Sequence, residues 1–108
     1  MNMLAHNFTA SYTPARLLMT VPVYLHGSYI ADSTVEVVFV RDETDRDGFS
    51  IEEMRVQNIQ TDRFSCIVTE QDRDEASRDM AWEIRRSFFS NAYLPKAEDA
   101  MKEAEYEA

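Results

Sequence analysis

The chain has 108 residues, of which 44% are hydrophobic, and includes six Phe, five Tyr and one Trp, a content that suits one globular domain and is too short for two. Its formal net charge is −9, a sign that repels nucleic acid and anionic membranes while drawing in basic protein surfaces. A single cysteine excludes an internal disulfide, and the longest apolar stretch, residues 17–25, is about half of what a bilayer requires and contains Pro22.

The charge is unevenly placed. All 20 acidic residues lie at or beyond Asp32, so residues 1–31 hold no carboxylate. Those residues also lack the basic start of a signal peptide, and with one unpaired cysteine the chain reads as a mature protein of the reducing cytoplasm. Two glycines and three prolines leave no flexible linker or repeat.

In chain order, residues 17–26 alternate, with Met19, Val21, Val23 and Leu25 on one face, which predicts a strand. Pro22 has no N–H for a ladder, so this strand belongs at an edge of the sheet. Residues 26–33 supply a loop rich in turn formers. Residues 34–41 follow as the strongest strand, β-branched and apolar on both faces, and so central. After the acidic loop 42–48, residues 49–60 are ambiguous. Ser50 and Glu53 have the spacing of a helical capping box, but the apolar stripe beyond them is thin, and a third half-exposed strand is preferred. A short extended piece at 64–69 adds a fourth, with Cys66 read as a buried, inert thiol.

From 72 to 90 the pattern is helical, with Ala76, Met80, Ile84 and Phe88 four apart and Ala81 beside them, and Thr69 or Asp72 as the cap. Pro95 restarts a second helical stretch at 96–107. Its stripe of Ala97, Ala100, Met101 and Ala104 is small, and is expected to order only against a partner or another copy of the chain.

Chemistry-bearing motifs are few. Glu43, Asp45, Asp47 and Gly48 imitate the first half of a calcium loop, but Met54 stands where the bidentate Glu is required. His6, His26 and Cys66 lack the paired spacings of a zinc site. No phosphate loop, dinucleotide fingerprint or nucleophile elbow is present. Neither a cofactor nor a metal nor an enzymatic activity is therefore expected. On the main helix, Arg78, Trp82, Arg85, Arg86 and Phe89 fall on one side. They read either as an arginine cover over the Trp82 ring or as a contact surface, since Trp and Arg dominate interface hot spots.

These readings give an α+β fold: an antiparallel sheet of three to four strands packed against one main C-terminal helix, with residues 1–94 as the domain and 95–108 as an acidic helical tail. Met19, Val21, Val37, Phe39, Met80, Ile84 and Phe88 are the candidate core. The candidate partner-binding residues are Asp42, Glu43, Asp45, Asp47, Glu70, Asp72, Asp74 and Glu75, together with the helix group from Arg78 to Phe89. In size, charge, lack of motifs and compact α+β pattern the chain resembles small accessory proteins of phages and mobile elements, among them anti-CRISPR proteins and other inhibitors of host nucleic-acid enzymes. That resemblance implies a non-enzymatic interaction module whose acidic surface docks on a basic region of a partner protein, with no direct nucleic-acid or membrane binding. The alternative is a structural subunit of a homo-oligomer or virion particle.

Overall fold

Alternation along the strands builds one sheet whose inner side carries the core. The computed structural model describes residues 13–58 and 60–107. Strands β1 (Ala15–Leu25), β2 (Ser28–Arg41), β3 (Phe49–Val56) and β4 (Cys66–Val68) are antiparallel and lie side by side in chain order. Met19 and Val21 of β1, with Val35, Val37 and Phe39 of β2, are buried on the inner side. The fold is therefore α+β, with two helices, α1 (Glu75–Phe88) and α2 (Leu94–Glu107), covering that side.

As Pro22 requires, β1 is an edge strand. The Thr20 N–H donates to the Tyr93 hydroxyl at 3.1 Å, and that hydroxyl donates back to the Thr20 carbonyl at 3.2 Å. Antiparallel alternation turns the Pro22 nitrogen the same way as that of Thr20, so its missing donor falls on the open edge.

The sequence-based loop at 26–33 is corrected to a two-residue turn. His26 and Gly27 both have positive φ, 51° and 81°, the type I′ geometry whose twist matches that of the flanking strands. Pairing therefore resumes at Ser28, and β2 runs for 14 residues. The register shifts once near the turn: Val23 faces Ala31 and Tyr24 faces Tyr29, which leaves Ile30 as the added residue of a bulge.

A second bulge explains the ambiguity of 49–60. Val38 faces Glu53 and Phe39 faces Ile51, so the β3 register steps at Glu52. The step keeps Phe49 and Ile51 on one side of it, and Met54 and Val56 on the other, directed at the same core. A spacing of 49, 51, 54 and 56 is neither strictly alternating nor helical, which is why the capping-box pattern misleads there. On the outer side, Glu36 sits between Arg16 and Arg55, 3.2 Å from each, and Arg55 also pairs with Glu53.

Asp74, rather than Thr69 or Asp72, caps α1: its carboxylate accepts the Ser77 N–H at 3.0 Å. Asp72 instead accepts the Thr69 N–H at 3.0 Å and its hydroxyl at 2.9 Å, closing a turn ahead of the helix. Ala81, Ile84 and Phe88 are the buried stripe of α1, whereas Met80 is half-buried and Ala76 exposed. Phe88 meets Phe39 at 5.0 Å between ring centroids and Phe49 at 6.3 Å, both edge-on, an arrangement that adds about 1 kcal/mol per pair to the burial itself.

The expectation for the tail is corrected as well. Ala97 and Met101 are fully buried in the chain's own core, with Leu94, Ala100 and Ala104 packed beside them. Small side chains let α2 approach the sheet closely, and Arg41 of β2 fixes its outer side through Glu98 at 3.1 Å and Glu105 at 2.9 Å. The fork of Arg41 engages both Glu105 oxygens. Cys66, finally, is exposed on the short β4 edge, and Val68 is the residue that strand buries.

Candidate protein-docking groove

The helices do not cover the sheet evenly. α1 begins at Glu75 and Ala76, which line a cavity that also reaches the His26-Gly27 turn, and ends where Phe88 joins Phe39 and Phe49 at the opposite end of the sheet. α2 starts next to Tyr93, which is bonded to Thr20, and heads for Arg41. Beyond Val21 the hairpin therefore projects past α2, and α1 faces it across a groove lined from Glu75 to Arg86.

The result is a groove of about 670 Å³ between the hairpin, the inner side of β3 and β4, and α1. Apolar side chains line it: Val23, Leu25 and Ile30 from the hairpin, Val56 and Val68 from the sheet, and Met80 and Trp82 from α1. Tyr24, Leu25, Ile30 and Trp82 are 51%, 49%, 55% and 49% exposed, so each keeps about half its surface in water. Tyr24 rests edge-on against Tyr29, with centroids 6.2 Å apart. The Tyr29 hydroxyl donates to Asp32 at 3.1 Å, and this bond to a carboxylate holds its pKa above the usual phenol value. The hairpin end is thereby stiffened on one side while it remains apolar on the other.

Along α1 the groove is edged by Glu75, Asp79 and Glu83. A spacing of four stacks them on one ridge of the helix, about 12 Å from first to last at 1.5 Å per residue. Glu83 accepts from Arg86 at 2.9 Å, whereas Glu75 and Asp79 are exposed to water. Apolar wall and anionic rim thus lie side by side.

The residues singled out from the sequence divide into separate places. Trp82, Arg86 and Glu75 line the groove. Arg78 turns to the Asp72 carbonyl at 3.4 Å and Arg85 pairs with Glu70 at 3.2 Å, both facing the connection before α1, while Phe89 packs edge-on against Phe88. No arginine covers Trp82 among the described cation–ring contacts, which pair Arg41 with Phe49 and Lys96 with Tyr93. The arginine-cover reading of Trp82 is therefore not met.

The acidic clusters do not share a face. Within the 42–48 loop, Asp42 accepts the Thr44 hydroxyl at 2.6 Å and its N–H at 3.0 Å, which lowers the Asp42 pKa. Asp45 accepts the Asp47 N–H at 2.7 Å, leaving Glu43 and Asp47 as exposed carboxylates. That loop and the α2 acids Glu98 and Glu105 adjoin Arg41 at one end of the sheet, while Glu75 lines the groove that reaches the turn at the other. Between them Glu70, Asp72 and Asp74 are taken up by an ion pair, a turn and a helix cap. Much of the acidity thus serves local structure.

Sequence reasoning missed Tyr24, Ile30, Asp79 and Glu83 as site residues. The spacing 75, 79, 83 next to Trp82 was the available signal; Ile30 carried none, because it lay in an apparent loop. Among the described residues, no group of three or more His, Cys, Asp or Glu is placed to hold a metal, and no helix is long and apolar enough to cross a membrane. No family model matches the chain, and no curated protein or solved structure matches it either.

Proposed function

We propose that the protein is a non-enzymatic interaction module that receives a basic segment of another protein in the groove beside Trp82. One observation carries this reading: three large apolar side chains, Leu25, Ile30 and Trp82, stand half-exposed around a concave site edged by the exposed carboxylates of Glu75 and Asp79. Clustered apolar exposure with a central Trp is the composition of an interface hot spot, and the carboxylates steer a cationic partner toward it. A second copy of the chain would bring a net charge of −9 to the same rim, so like-charge repulsion favours a basic partner over self-assembly. Many basic segments serve to hold nucleic acid; covering one would make the protein an inhibitor of a nucleic-acid-handling partner, in keeping with the accessory-protein resemblance.

The reading differs from docking through the far acidic loop, and paired variants separate the two. Leu25→Glu should abolish capture of the native partner, and raised salt should weaken capture by the unaltered chain. The double variant Glu43→Lys/Asp47→Lys at the opposite end should capture it normally. Loss with the loop variant and retention with Leu25→Glu would refute the groove as the docking site.

A further inference from the structure

The geometry points to an amphipathic α-helix, with Lys or Arg along one flank, as the element that fills the groove. This inference rests on the groove being the docking site and adds what enters it. The inner side of the sheet is already a helix-packing surface: α1 and α2 lie on it, and the groove is the place beside α1 that α2 leaves uncovered. A third helix there would rest on Val23 and Leu25 and against Trp82, with apolar residues at i, i+3 or i+4, and i+7.

Charge spacing fits the same occupant. Glu75, Asp79 and Glu83 place one carboxylate per turn along the groove edge. A neighbouring helix with Lys or Arg one turn apart faces the exposed Glu75 and Asp79, while Glu83 is already paired with Arg86 at the far end of the ridge. The ridge of about 12 Å matches two to three turns of such a partner.

An extended segment is the competing occupant, and the sheet edges count against it. A strand entering here needs a row of open backbone groups to pair with. On β1, Thr20 is taken by Tyr93, and Pro22 has no N–H to give. β4 offers only three residues. An extended chain would lie in an apolar groove with much of its backbone unpaired, whereas a helix satisfies its own.

The test is selection of random 16-residue peptides displayed against the full chain, repeated with Leu25→Glu and with Glu75→Lys/Asp79→Lys. The expected enrichment is of peptides with helical apolar spacing and a Lys/Arg flank, which gain helical circular dichroism on binding. Leu25→Glu should remove their binding, and the charge-reversal variant should weaken it about tenfold, as expected for rim charges, with the fold kept and the melting temperature only slightly lowered because Glu75 lies in the first turn of α1. Because Leu25 and both carboxylates are exposed, the variants should fold. Enriched peptides of strictly alternating pattern, lost with Leu25→Glu, would overturn the helix and keep the groove. Peptides indifferent to Leu25→Glu, or no enrichment at all, would overturn both. A dimer of the unliganded chain that Leu25→Glu returns to monomer would replace the basic helix with a second copy.

Discussion

The two ends of the sheet are built from similar residues and finished differently. At the Arg41 end, Phe39, Phe49 and Phe88 interlock, α2 buries Ala97 and Met101, and Arg41 ties Glu98 and Glu105 across the seam. At the turn end, β1 and β2 extend past α2, and Tyr24, Leu25, Ile30 and Trp82 remain half in water. An apolar strand end costs little to expose when the core is complete without it. The difference places the closed core at one end and leaves the other open for the docking proposed above.

The sharpest way to break that division is to truncate one large aromatic at each end. Phe88→Ala should lower the unfolding free energy by about 3–5 kcal/mol, since Phe88 is fully buried between two rings. Trp82→Ala should lower it by about 1 kcal/mol or less, because half the indole is already hydrated. Equal losses in urea titrations of the two variants would mean that the turn end is part of the core.

Met101→Ala tests whether α2 belongs to the closed end. Met101 is fully buried, so a loss of about 2–4 kcal/mol is expected. A loss near zero would return α2 to the status of a loosely attached tail. Smaller still is Asp74→Ala, which removes the cap of α1 at the turn end. It should cost about 1 kcal/mol, read as a lower urea midpoint with an unchanged slope.

The weakest effect is that of acid. Arg41 holds the Glu105 carboxyl below its ordinary value of 4.5, so the folded chain binds that proton less readily than the unfolded one. The contribution is complete above 4.5 and is lost as pH falls through the lowered folded value. The pair is well exposed to solvent, so the effect should be under about 1 kcal/mol. Arg41→Met should reduce the drop in melting temperature between pH 6 and pH 3, and an unchanged drop would remove this pair from the seam.

Much of the closed end was legible in the sequence. The β-branched, apolar run from Val35 to Val40 and the four-residue spacing of Ile84 and Phe88 report burial directly, and Pro22 marks its own edge. The two bulges were not legible: a step at Glu52 and an added Ile30 break the alternation that reveals strands, and they arise from pairing between strands. For the same reason residues 28–33 read as a loop until their partners on β1 were known. Cys66 was misplaced because it shares a side of β4 with the buried Val68 but opens into the groove rather than the core. Of the site, Trp82 and Glu75 were visible as residue types, whereas the groove comes from the length by which the hairpin outruns α2, and no local pattern encodes that length.

The most direct measurement maps amide chemical shifts of the full chain while a selected basic 16-residue helical peptide is added. The expected perturbations centre on Leu25, Ile30, Asp79 and Trp82 and leave Glu43 to Asp47 unmoved. Perturbations centred on the 42–48 loop and the outer side of α2, with Trp82 silent, would contradict the assignment of recognition to the turn end.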